Sequence, residues 1–380
     1  TRVFPHTPGA EAGVERGDRI VTVEGVSIEG WPLGDITEKL KGEPGTRVKV
    51  QFVRGGVKQP LDVQLTRAVI HIPSVPYAIL LDGGTGYLPL QQITETSATE
   101  VRSAIENLAE QGMTSLVLDL RGNGGGYTDQ ALQVANFFLP RGSEIYSVQS
   151  RDPDPDRYFA ARDPLVPDLP LIVLTDAYSA SAAEIIAGAL QDHDRALLVG
   201  NTSFGKGLVQ SVFPLDNGWA LKLTTGKWYT PSGRSIQRPD RDVGIHQAME
   251  GDTIPLEERP VYHSDQGRVI YGGGAITPDV LVDSDTLTAA EQTLSRALAP
   301  YGQDVNLALL DLARDLQTTV APGFTMVPAW RERLWNSLQD RGVEIERMKF
   351  DAGSAIVDYL IENRVAVLAF GDSAAKRRAV

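Results

Sequence analysis

Three short apolar runs, at 115–120, 171–175 and 196–199, each end in a loop of unusual composition. The first loop is Arg121-Gly122-Asn123-Gly124-Gly125-Gly126 and the second Tyr178-Ser179-Ala180-Ser181-Ala182-Ala183-Glu184. The third is Ser203-Phe204-Gly205-Lys206-Gly207. Helical patterns stand between the runs. Ser97-Ala98-Thr99-Glu100 reads as a capping box ahead of Val101, Ile105 and Leu108, and 182–192 reads as a further helix. Short buried strands alternating with helices predict an α/β sheet. If the strands are parallel, the three loops share its carboxyl edge, where such sheets place their ligands.

The chain has 380 residues, enough for two or three domains. Ahead of the α/β segment, Pro8-Gly9-Ala10-Glu11-Ala12-Gly13-Val14 and Gly17-Asp18-Arg19-Ile20 lead into the alternating run Ile20-Val21-Thr22-Val23 and a hairpin turn at Glu24-Gly25. Leu33, Ile36 and Leu40 fall on one helical face, and Val48, Val50 and Phe52 alternate as a half-buried strand. This unit ends near Arg67. It resembles a PDZ domain, a module that captures carboxyl-terminal peptides as an added strand; a small β-rich domain of no particular role is the plainer alternative. Behind the α/β segment, from 286 on, the chain reads as helical, with stripes at Trp330, Leu334 and Leu338 and at Ile356, Leu360 and Leu368.

Composition removes several chemistries. Cysteine is absent, which excludes disulfides, thiolate catalysis and cysteine-ligated metal. A net charge of -13 with scattered cations leaves no basic stripe for nucleic acid. No apolar run approaches the roughly 20 residues of a membrane-spanning helix. The first residue is Thr and lies inside a motif, so the chain is expected to be a processed or trimmed piece of a longer one.

Ser181 stands where a strand turns into a helix, with free N–H groups and the positive end of the helix dipole nearby. Ser181-Ala182-Ala183-Glu184 also fits a capping box, and the segment alone favours that reading. A nucleophilic hydroxyl needs a base. His193 follows on the same helix at roughly 18 Å, which excludes it. Lys206 is carried back to the same edge by the third strand, and Phe204, Gly205, Gly207 and Leu208 around it would desolvate its amine and favour the neutral form that a base needs. In the glycine run, a backbone N–H turned into the site would join Ala182 N–H as an oxyanion donor; a tight turn is the alternative. A phosphate-binding loop at 200–206 fails after the lysine, because Gly207 replaces the required hydroxyl and a strand follows instead of a helix.

With these residues in place, residues 1–285 resemble the carboxyl-terminal processing (tail-specific) proteases, which use a serine and lysine dyad. The family's Ser-Ala-Ser-Ala-Ser-Glu-Ile stands here as Ser179-Ala180-Ser181-Ala182-Ala183-Glu184-Ile185, and its Thr-Phe-Gly-Lys-Gly-x-Val-Gln as Ser203 to Gln210. Asp119 to Gly126 matches Asp-Leu-Arg-Asn-Asn-Pro-Gly-Gly, with Gly122 for asparagine and Gly124 for proline. Further matches are 229–237, Gly272-Gly273-Gly274 and Pro278-Asp279.

The resemblance implies a serine endopeptidase that cuts proteins near the carboxyl terminus without a cofactor or metal. Ser181 would be the nucleophile, Lys206 the base, Gln210 the residue orienting it, Gly124, Gly125 and Ala182 the oxyanion hole, and Asp192 a supporting acid. It implies a core akin to the crotonase and Clp protease folds over 68–285, a PDZ domain at 1–67 that recruits apolar carboxyl termini, and a helical region of unassigned role at 286–380. In this family's PDZ domains the loop that binds the terminal carboxylate precedes the segment matched by 1–14, so truncation there is expected. Export to the periplasm or cell exterior is implied as well, and oligomeric state stays open. A non-catalytic PDZ-type binder of carboxyl-terminal peptides is the rival, but would need neither Ser181 nor Lys206; an acyl-group enzyme on the same core would need a coenzyme pocket that nothing here supplies.

Overall fold

A computed structural model describes residues 3, 7–54, 57–238, 255–282 and 287–379, with side chains up to 371. The chain divides into two compact units, Thr1–Ile72 with Leu287–Val380, and Pro73–Thr286.

In the first unit, a short helix α1 (Pro8–Glu11) precedes strands β1 (Arg19–Val23) and β2 (Val26–Ser27), helix α2 (Leu33–Leu40), and strands β3 (Arg47–Val53) and β4 (Leu61–Thr66). The strands form an antiparallel sheet in the order β2-β1-β3-β4. The hairpin turn falls at Glu24 and Gly25, both at positive φ. The alternating Val48, Val50 and Phe52 are buried with Val23 and Ile28, and Ile36 and Leu40 pack on them. Leu33 does not share that face. It follows the N-cap Pro32 as the first helical residue and is 79% exposed.

The second unit carries strands β5 (Ile79–Leu80), β6 (Thr85–Pro89), β7 (Ser115–Asp119), β8 (Glu144–Gln149), β9 (Asp156–Phe159), β10 (Leu171–Thr175), β11 (Leu197–Gly200), β12 (Leu208–Pro214), β13 (Ala220–Tyr229), β14 (Val261–His263), β15 (Val269–Tyr271) and β16 (Val280–Leu281). Its helices are α3 (Ser97–Glu110), α4 (Thr128–Asn136) and α5 (Ala182–Asp192). A six-stranded sheet runs β16-β11-β10-β7-β6-β5, and from β6 through β16 all neighbours are parallel. A second sheet runs β12-β13-β8-β9. Helix α5 is buried along its whole length, which explains its run of Ala, Ile and Leu without a polar face.

The box read at Ser97 is not formed. Helix α3 is capped one residue earlier, at Thr96; Ser97 is buried, and its Oγ accepts from Thr94 N–H at 2.7 Å. Glu100 reaches out of the helix to accept from Val75 N–H at 3.0 Å. Its other oxygen accepts Thr96 Oγ–H at 2.7 Å, so the carboxylate is shared between the N-cap residue's hydroxyl and a backbone donor from another segment.

The remaining helices, α6 (Ala289–Leu298), α7 (Gly302–Leu316), α8 (Pro328–Asp340), α9 (Arg347–Ala352) and α10 (Ser354–Ala379), close around Leu334, Leu338, Phe350, Val357, Ile361 and Val365. The α8 stripe is as read from the spacing. On α10 the deepest residues are Val357, Ile361 and Val365, one face over from Ile356, Leu360 and Leu368, which flank the core.

Candidate active site

Parallel pairing brings the three loops together, because Asp119 lies beside Leu174, and Thr175 beside Gly200, at the carboxyl ends of β7, β10 and β11. The loops are then cross-tied. Ala180 N–H donates to Asn123 O at 2.9 Å, Gly122 N–H to Asp176 Oδ1 at 3.0 Å, and Phe204 N–H to Ser179 O at 2.9 Å.

Ser181 is the N-cap of α5, with φ 55° and ψ -117°. A non-glycine residue there is strained, and such strain persists only where the surroundings hold it. Gly125 packs against this turn so closely that a Cβ on it would lie 2.6 Å from the Ala180 carbonyl oxygen and 2.8 Å from Ser181 Cβ. Its own φ is 91°. Both facts demand glycine.

The residue that organises the site is Glu184, fully buried on the first turn of α5. Its Oε2 accepts Ser181 N–H at 2.7 Å and Lys206 N–H at 3.0 Å. Its Oε1 accepts Ser203 Oγ–H at 2.5 Å and Gly205 N–H at 2.7 Å. The serine turn and the lysine loop therefore share one acceptor group. Burial pushes this carboxyl above its ordinary range, and the four donors pull against that shift. From the sequence, Glu184 is a helix-box residue and part of the motif match, with no role of its own. The signal it carried was an acid in the first turn of a helix that is apolar from there to Leu190.

Ser203 Oγ in turn accepts Ile276 N–H at 2.7 Å. Either serine or threonine supplies this hydroxyl, which accounts for the serine that stands here in place of the family's threonine. Gly207 N–H donates to Gln237 Oε1 at 2.9 Å, and Trp228 Nε1–H to Lys206 O at 3.1 Å, so the lysine's backbone is pinned on three sides. Its side chain is not enclosed. Lys206 is exposed between the buried Gly205 and Gly207, so the desolvation expected from its neighbours is absent in this conformation.

The other residues singled out divide. Ala182 N–H heads α5, where helix geometry leaves it without an intrahelical acceptor. Gly124 is exposed, and Gly125 N–H donates to Asn123 Oδ1 at 2.9 Å. Gln210 lies exposed on β12, and among the described residues no hydrogen bond joins it to Lys206. Asp192 is not brought to Ser181. It sits at the far end of α5, about 16 Å away by helix rise, and rather than being solvated it is 1% exposed, paired with Arg234 and accepting Ser232 N–H at 2.9 Å. His193, at the same end, contacts Asp265 and the Glu144 carbonyl.

Residues 84–247 match the model of peptidase family S41, and residues 1–54 that of a PDZ domain. A carboxy-terminal-processing protease of Bartonella bacilliformis is 42% identical over 235 residues, 61% of this chain and 54% of that protein. The carboxy-terminal processing protease CtpA of Bacillus subtilis is 34% identical over 283 residues, 74% of this chain and 59% of that protein. The chain spans little more than half the length of these relatives. Among solved structures, a photosystem II D1 C-terminal processing protease superposes with a TM-score of 0.44 at 28% identity, covering 77% of this chain and 69% of that one. No helix among the described residues is long and apolar enough to cross a membrane.

Proposed function

The chain belongs to peptidase family S41 with a PDZ domain at its N-terminal end, and from that premise we propose that it is a serine endopeptidase cutting proteins near their carboxyl termini through Ser181 and Lys206. The observation that carries this reading is the shared carboxylate of Glu184, which ties the strained serine turn to the lysine loop. A merely structural cap would need no such link to a third loop.

In the reaction, Ser181 Oγ adds to the scissile carbonyl carbon while its proton passes to Lys206 Nζ, whose exposed amine must first be covered by the bound substrate to take the neutral form that a base needs. Ala182 N–H and the N–H groups of Gly124 and Gly125 stabilise the oxyanion; Gly125 must first exchange its bond to Asn123. Collapse breaks the C–N bond, and the lysine returns the proton to the leaving amine. Water, deprotonated by the same lysine, then hydrolyses the acyl-enzyme ester. Gln210 holds the amine in its working position. Asp192 supports the site only indirectly, by fixing the far end of α5.

The PDZ domain recruits the substrate's apolar tail. An apolar cavity of about 610 Å³ beside α2, lined by Thr37, Leu40, Val48, Phe52, Leu65 and Ile70, supports that part of the reading. We place 68–285 as the catalytic domain and 1–67 as the recruiting one, acting outside the cytoplasm as the family resemblance implies.

The test is covalent labelling. A fluorophosphonate should modify Ser181 in the native chain and not in Ser181→Ala, and Lys206→Arg should cut no protein substrate because a guanidinium cannot give up its proton. Full cleavage by a well-folded Ser181→Ala chain would overturn the assignment.

A further inference from the structure

Strand β12 starts two residues beyond Lys206 and, among the described residues, is the outermost strand of its sheet. Its pairing with β13 fixes which peptide groups look inward. Leu215 N–H donates to Trp219 O at 2.8 Å, and at the other end Trp228 N–H donates to Gly207 O at 2.9 Å. Inward and outward residues alternate along an antiparallel pair. With the register Phe213 to Leu221, Val212 to Lys222 and Ser211 to Leu223, the groups of Ser211, Phe213 and Leu215 face β13, and those of Leu208, Gln210, Val212 and Pro214 face away. The bulge between Val209 and Gln210 leaves this alternation intact on β12. Pro214 agrees with the assignment, since proline is tolerated where the missing N–H would point off the sheet. Among the described residues no hydrogen bond reaches the outward groups of Gln210 and Val212.

The ribbon's faces differ. Phe213, Leu215, Trp219, Leu221 and Leu223 share one face by strand alternation, and each is more than 40% exposed. A contiguous apolar face of this kind marks an interaction surface. Gln210, Val212, Lys222 and Thr224 lie on the other face.

We infer that the free edge of β12 is where an extended segment of the substrate adds as a strand, hydrogen-bonded to the outward groups of Gln210 and Val212 and leading into the site at Lys206. This rests on the peptidase reading. The occupant is an extended polypeptide because a free edge offers repeated backbone groups at strand spacing, which is what an unfolded chain can match. Alternate side chains of the added strand lie beside Phe213 and Leu215, so the edge selects segments with apolar residues at every second position.

The experiment uses the Ser181→Ala chain, which binds without turnover, and a heptapeptide of alternating Ala and Leu with a free carboxyl terminus. At saturation, amide exchange measured by NMR should slow at least tenfold at Gln210 and Val212, with Ser211 and Phe213 unchanged because β13 already holds them. Val212→Pro removes one outward donor and no ladder bond, so it should keep the melting temperature and bind the peptide about fivefold more weakly, the loss of one backbone hydrogen bond. Peptide bound with no protection at Gln210 and Val212, no binding at all, or protection that appears without peptide and grows with protein concentration would each overturn the inference, the last by showing edge pairing between copies. Fluorophosphonate labelling of Ser181 in the native chain separates the two readings. Labelling without edge protection defeats the edge site alone, whereas edge protection without labelling defeats the peptidase reading and leaves a strand-binding edge.

Discussion

Replacing Glu184 by glutamine keeps the shape and removes two of four acceptor positions. The new amide N–H₂ must then face either Ser181 and Lys206 N–H or Ser203 Oγ and Gly205 N–H, and a buried donor against donors costs about 1–3 kcal/mol for each group left unpaired. Glu184→Gln should therefore lower both the melting temperature and kcat, the latter at least tenfold, as checked by calorimetry and by the rate of fluorophosphonate labelling. Asp119 behaves oppositely with pH. Burial pushes its carboxyl up, but hydrogen bonds from Arg121 and Tyr87 outweigh burial and hold it below the usual carboxylate range. Its contribution to stability is thus present above the unfolded-state value near 3.9 and lost as pH falls through the lowered folded one. Asp119→Asn should flatten the acid limb of a pH-dependent melting curve while sparing neutral pH less, since the pairing is lost there. The residues were unequally legible. Ser181 and Lys206 could be found from loop composition and spacing, whereas Asn123, Asp176 and Gln237 could not, because a side chain that holds another loop's backbone leaves no periodic mark in its own segment.

At the scale of elements, the helix at 182–192 and the strand at 171–175 were readable to the residue, because their apolar runs end abruptly at turn chemistry. Where several faces are apolar, the reading slips. Helix α10 has apolar residues on adjacent faces, and only packing against the other helices picks Val357, Ile361 and Val365. Single-sequence spacing also could not foresee that Glu100 would accept Val75 N–H as well as the Thr96 hydroxyl. The glycine loop gives a prediction of its own. Gly125→Ala adds a Cβ against the Ala180 carbonyl and Ser181 Cβ, at a φ that L-residues resist. The carbonyl is backbone and Ser181 Cβ is fixed directly to it, so neither can rotate away. Gly125→Ala should abolish protein cleavage and labelling alike, while Gly122→Ala, with open space around its Cβ position, should cost only the strain of its φ of 72°, on the order of 1 kcal/mol. Equal loss in the two variants would show that general loosening of the loop, and not the Gly125 contact, decides activity.

Across the whole chain, the joining of the first unit's two distant segments had no sequence signal at all. Leu310 on α7 is 1% exposed yet stands outside the helical core cluster. Its Cδ2 lies 1.8 Å from where a Cβ on Gly17 would be, and Arg314, one turn along α7, donates to Arg16 O at 2.9 Å. The turn before β1 is thus the surface that buries Leu310. Truncating it should cost about 2–5 kcal/mol, as for other buried leucines. Gly17→Ala should also destabilise, through the clash and through its φ of 95°. Combining them distinguishes a true contact from two independent defects. In Gly17→Ala/Leu310→Ala the new Cβ occupies space that the leucine has vacated, so the clash disappears and only the backbone strain remains. The double variant should then be more stable than the two single losses predict, by at least 1 kcal/mol in a denaturant-unfolding cycle, beyond the few tenths by which independent sites depart from additivity. Strict additivity would mean that Gly17 and Leu310 do not touch in solution, and that residues 1–72 and 287–380 fold without reading one another.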